Sequence, residues 1–144
     1  MPKKEDAKKI LSTLNMPTAQ QSDIACYTLL ALSSITENSN WSSATNEWLR
    51  IFDIMQFTNT SYGITYAPNT RETFRKQALH HFRNAALIED NGLATNSPNY
   101  SYRLTDEFLK LLKTFRTERW NDSINLFFEN HLFLHYLIDW KMRI

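Results

Sequence analysis

The sequence predicts a mainly α fold, a winged helix-turn-helix domain with a small β-hairpin wing and extra flanking helices. Three observations predict it. The stretch Asn69 to Leu104 reads as one helix running directly into a two-stranded ribbon. The two strands, Leu87-Ile88 and Tyr100-Ser101-Tyr102-Arg103-Leu104, carry the only convincing β signals in the chain. Finally, two glycines against nine Phe, six Tyr and four Trp favour an aromatic-packed helical interior over a glycine loop that cradles phosphate.

The elements follow in order from caps and periodicity. Asp6 to Leu14 makes a short helix with Ala7, Ile10, Leu11 and Leu14 on one face, stopped by Asn15-Met16-Pro17. Thr18 caps a second helix, with Gln21 completing a capping-box pattern. Ile24, Ala25, Tyr27, Leu29, Leu30, Ala31, Leu32 and Ile35 bury that helix nearly all round, which makes it the central core helix. A polar link, Thr36 to Asn40, leads through Trp41 to Ser42-Ser43, the cap of a helix from Ala44 to Met55 that buries Trp48, Leu49, Ile51, Phe52 and Met55. Between Phe57 and Pro68 the sequence reads as a loop holding one short strand beside the wing.

Asn69 caps the next helix, Glu72 reaches back to it, and the helix begins at Thr70. At about 100° per residue, Phe74, Ala78, Phe82, Ala85 and Ala86 share one side, while Thr73, Lys76, Gln77, His80, Arg83 and Asn84 share the other. Asn91-Gly92 and Asn96-Ser97-Pro98-Asn99 are the turns of the wing. Thr105 caps a helix with Asp106 and Glu107 in its first turn and Phe108, Leu109, Leu111 and Leu112 on its core face, ending near Phe115. Thr117 caps a last helix that runs to Met142 and turns almost wholly apolar from Leu132 to Ile138. Residues 1–130 then form the winged-helix domain, and residues 131–144 an apolar tail for a dimer or domain interface.

Composition narrows the function. With 42% hydrophobic residues in 144, one core is affordable and a second, catalytic domain is not. The lone Cys26 has no partner for an internal disulfide and serves as small core filler in a reducing compartment. No apolar run reaches the span of a bilayer and MPKKEDAKK lacks the apolar core of an export signal, so a cytoplasmic protein with no membrane partner is expected. Net charge is only +1, yet Arg71, Arg75, Lys76 and Arg83 stand against one acid, Glu72, in the helix before the wing.

A basic, amide-rich helix followed by a ribbon suits the major groove of double-stranded DNA, the helix on base edges and the wing along phosphates. The alternative is a solvated polar face beside a surface hairpin. Thr73, Lys76, Gln77 and His80 are the candidates for base edges, Arg83 and Asn84 for the backbone, with Arg103 on the wing. Arg71 and Arg75 project nearer the apolar side, either presenting guanidinium groups to phosphates or pairing with acids of the protein.

Four stretches carry a resemblance: AKKILSTL, TLLALSSI followed by NSNWS, YGITYAPNTRETFRKQALHHF, and NSPNYSYRLTDEFLKLL. Over about Ala7 to Asn130 the sequence resembles the amino-terminal helix-turn-helix region of the BsuBI/PstI type II restriction endonucleases. The resemblance implies a DNA-binding domain that precedes a metal-dependent nuclease cutting short palindromic duplex sites. This chain stops at Ile144, so it is expected to lack catalysis and to hold no cofactor of its own, the Mg²⁺ belonging to the nuclease domain.

Three patterns invite a catalytic reading and do not sustain it. Asp122 with Asp139-Trp140-Lys141 has the residue order of a Mg²⁺-dependent nuclease, but both parts fall in a predicted helix rather than on strands. His131 and His135 stand at i, i+4 without a third ligand, so no metal site is expected. His80 and His81, adjacent on a helix, point about 100° apart and make no catalytic pair. Two rival functions stand beside the restriction-enzyme one: a stand-alone winged-helix transcription regulator, and a protein interaction module working through the aromatic tail, the same tail that suggests a homodimer.

Overall fold

The computed structural model describes residues 2–131. The features expected of the tail, His135, Asp139-Trp140-Lys141 and the dimer surface of Leu132 to Ile138, lie outside those residues. Among the described residues the fold is mainly α, six helices and one two-stranded antiparallel sheet. Helix α1 is Lys3–Thr13 and α2 is Asp23–Ser33. Every residue of α2 from Ala25 to Ser33 is buried, and α1, α3 (Ile51–Tyr62), α4 (residues 71–84) and the second strand all pack on it. Helix α4 is continuous, from Arg71–Phe74 through a π-helical turn, Arg75–Leu79, to His80–Asn84. Strands β1 (Ile88–Asp90) and β2 (Tyr102–Leu104) form the wing, pairing Ile88 with Leu104, Glu89 with Arg103 and Asp90 with Tyr102. Helices α5 (Asp106–Leu112) and α6 (Trp120–Asn130) close the domain.

Three caps differ from those expected, the first being that of α6, which begins at Trp120 after Arg119 and carries no side-chain cap from Thr117. Thr18–Gln21 is a 3₁₀ turn, and α2 begins only after Ser22, whose Oγ accepts from the Ala25 backbone N–H at 3.3 Å. Pro68 fixes a helical turn one residue early, so Asn69 lies inside the 3₁₀ segment Pro68–Thr70 and cannot cap α4. Glu72 instead accepts from Arg75 at 2.8 Å. Thr105 does cap α5, accepting from Phe108 N–H at 3.3 Å.

The larger correction concerns residues 44–62. The expected helix from Ala44 is a 3₁₀ turn, Trp41–Ser43, followed by extended chain, and the helix runs from Ile51 to Tyr62 through what was expected to be a loop. Leu49 makes the strand contact, exchanging both backbone hydrogen bonds with Tyr102 at 2.8 Å. Asp53 then starts α3 by accepting from the Arg50 backbone N–H at 2.9 Å, and Gly63, at φ +70°, ends it. The shift turns two aromatics outward: Trp48 and Phe52, expected in the core, are 41% and 58% exposed.

The π-helical turn widens the buried face of α4. At ~100° per residue Leu79 stands about 140° from Phe74, which is why periodicity omits it. An i→i+5 turn brings it round, and Phe74, Ala78, Leu79 and Phe82 are all fully buried. Ala86 is no part of this face, lying beyond the helix at φ +57°.

A buried carboxylate ties α1 to two segments far from it in sequence. Asp6 on α1, 2% exposed, accepts from Trp41 Nε1 at 3.1 Å and from the Arg116 guanidinium. Asp6→Ala leaves the indole N–H unpaired in the interior and is expected to cost about 1.5–3 kcal/mol in denaturant unfolding. Phe82→Ala is expected to cost about 3–5 kcal/mol, whereas His80→Ala should stay within about 0.5 kcal/mol of the parent. Equal unfolding midpoints for the last two variants would mean that the faces of α4 are assigned wrongly.

Candidate nucleic-acid interface

The surface that α4 leaves open follows from the face that it buries. Arg71, Arg75, Lys76, Gln77, His80, Arg83 and Asn84 are exposed, and Thr73 is half-buried at their edge. They differ in freedom to meet a ligand. Arg75 pairs with Glu72, and that hydrogen bond holds the Glu72 carboxyl below the usual range. His80 Nε2 lies 3.2 Å from the Asn84 amide nitrogen, one turn along the helix. Lys76 and Gln77 project from the middle of the open face, in the π-helical turn.

Arg83 joins the helix to the wing. Its Nη1 donates to Asp90 at 2.8 Å and to the Tyr100 hydroxyl at 3.1 Å. The Asp90 carboxyl is held below its ordinary value, first by the Gly92 backbone N–H at 2.8 Å, then by Tyr100 and Arg83. Since that pKa is depressed in the folded chain, the brace is complete at neutral pH and is lost only as acid titrates Asp90. The loop beyond it is pinned by Asn91, whose amide donates to Asn99 O at 2.8 Å. Arg103, the candidate on β2, is engaged twice: its Nε donates to Glu89 at 2.6 Å across the ribbon, and its guanidinium lies 4.3 Å from the centre of the Trp48 ring.

Sequence periodicity missed the groove between α3, the start of α4 and the wing loop, because it placed residues 44–55 in one core helix. Arg50, Phe52, Arg71, Asn96, Pro98 and Tyr100 line it, with a volume of about 410 Å³. The one local signal was the helix start, Arg50 standing three residues before Asp53. Among the described residues no cluster of three or more His, Cys, Asp or Glu could hold a metal ion. Asp122 is exposed on α6, and His131 is committed to Phe127 O at 2.8 Å and to Glu107 at 2.9 Å. No helix among the described residues is long and apolar enough to cross a membrane.

Comparison with known proteins bears on the same residues. The chain is 35% identical over 130 residues to type II restriction enzyme BsuBI of Bacillus subtilis, an alignment covering 88% of this chain and 41% of that enzyme. It is 27% identical over 129 residues to type II restriction enzyme AplI of Arthrospira platensis, covering 88% and 40%. In fold it is similar to the SdaI restriction endonuclease, with a TM-score of 0.83 at 24% identity, over 88% of this chain and 41% of that one. The chain thus spans about two-fifths of the length of the relatives it matches. Residues 1–134 match the BsuBI/PstI restriction endonuclease HTH domain, and the chain belongs to that family.

Proposed function

We propose that the chain is a sequence-specific duplex-DNA-binding domain, the target-recognition part of a type II restriction endonuclease whose nuclease part lies outside it. The observation that carries this reading is the open face of α4, locally basic and rich in amide and imidazole groups, braced beside a wing by Arg83. The names of the BsuBI and AplI enzymes support it. In this reading Lys76 and Arg71 neutralise phosphates, Gln77 and His80 reach base edges, and Thr73 adds a short contact at the rim. Arg75 swings from Glu72 onto the backbone, a small cost for an exposed pair. Arg83, Asn84 and Arg103 act chiefly by holding His80 and the wing in place.

Roles divide by charge, and so do the tests. Lys76→Ala is expected to weaken binding to any duplex and to flatten the dependence of log K on log salt by roughly 0.9. Gln77→Ala should leave that slope unchanged and lower discrimination by about 1–3 kcal/mol at one base pair. Fluorescence anisotropy over a salt series, with helical circular dichroism unchanged in each variant, checks both. A Lys76→Ala variant with the parent affinity and slope would overturn the proposal that α4 binds DNA.

A further inference from the structure

Beside the start of α4 the chain exposes a feature that the reading helix does not use. Phe52 is 58% exposed on the first turn of α3, and the Arg50 guanidinium lies 5.7 Å from the centre of its ring. Arg50 is itself held, Nε to Asp53 Oδ2 at 3.1 Å and Nη2 to Asp53 Oδ1 at 3.0 Å, so its charge is fixed beside the ring. The pair opens onto the groove shared with Arg71 and the wing-loop residues Asn96, Pro98 and Tyr100. An adjoining groove runs on past Ile51 and Arg71 to Arg75. Two arginines, Arg50 and Arg71, therefore line the groove that holds the ring, and Arg75 lines the one beside it.

That combination fits a polyanion with apolar features between its charges better than it fits an apolar protein surface. An exposed phenylalanine within an arginine-lined groove gains by shedding its hydration shell against an occupant, but an apolar partner would also have to desolvate the guanidinium groups around it. Duplex DNA keeps them solvated or paired with phosphate while offering two apolar features, the thymine C5-methyl in the major groove and the deoxyribose along the backbone. The groove is also continuous with the proposed DNA face, since Arg71 belongs to both.

We infer that the Arg50–Phe52 corner of α3 is a second duplex-DNA contact, Phe52 packing on a thymine methyl or a deoxyribose next to the segment met by α4, and Arg50 facing the adjoining phosphate. This rests on the proposed DNA-binding function. It adds to that function a contact from a different helix, by an apolar group, at Phe52, which sequence periodicity assigns to the core.

The test uses the chain as it is and a duplex that it selects from a random pool. Phe52→Ala is expected to lower affinity about tenfold without changing the salt slope, because an apolar contact releases no counterions. Arg50→Ala should lower affinity and flatten the slope by roughly 0.9. Replacing thymine by deoxyuridine in the selected duplex separates the two apolar targets: parent and Phe52→Ala become equal if the ring meets a methyl, and stay about tenfold apart if it meets a sugar. Phe52→Ala with the parent affinity would overturn the inference while leaving Lys76→Ala to judge the function itself. A chain that selects no duplex would overturn both. Phe52 is exposed, so thermal unfolding of the variant should match the parent, which separates lost contact from lost fold.

Discussion

Helix α2 has to be covered on every side, and the rest of the domain depends on how that is done. Its residues from Ala25 to Ser33 are buried without interruption, so no face of it can be left to water. α1, α3, α4 and β2 each close part of its circumference. For α4 this fixes rotation about its own axis. Phe74, Ala78, Leu79 and Phe82 must point inward, so Lys76, Gln77 and His80 must point out. The proposed DNA face is thus the complement of a packing requirement.

Two smaller devices refine that surface. The π-helical turn lets α4 bury both Ala78 and Leu79, and it lies where Lys76 and Gln77 project. Such turns occur often at functional sites, because the widened backbone re-aims side chains that regular α geometry would set elsewhere. The wing is oriented from both sides. Arg83 reaches it from the helix, and Leu49 pairs with the outer edge of β2 through two backbone hydrogen bonds. A two-stranded ribbon has little stability alone, and these anchors supply what its own short ladder lacks.

Much of this was legible in the sequence, for a physical reason that also marks where legibility ends. Strong periodicity and turn chemistry identified α2, α4 and the hairpin, since the burial of Phe82 and the Asn91-Gly92 turn are local facts. The family showed in YAPNTRE, NSP and YRLT, which the match over residues 1–134 bears out. What failed was the segment from Ala44 to Tyr62. Its aromatic residues suit a helical core face, but the backbone of Leu49 is claimed by Tyr102, 53 residues away, and no local pattern announces a long-range bridge. Phe52 and Trp48 were consequently expected inside. Leu79 was missed in the same way, because a constant 100° step cannot foresee a π-helical turn.

If burial against α2 selects the face that meets DNA, amide chemical-shift mapping of the full chain during titration with its selected duplex tests that claim most directly. The account predicts shifts concentrated at the exposed positions of Arg71 to Asn84 and in the wing loop, with the buried amides of Cys26 to Leu32 unmoved. Shifts gathered on α1, α5 and α6 while Lys76, Gln77 and His80 stay unperturbed would contradict it.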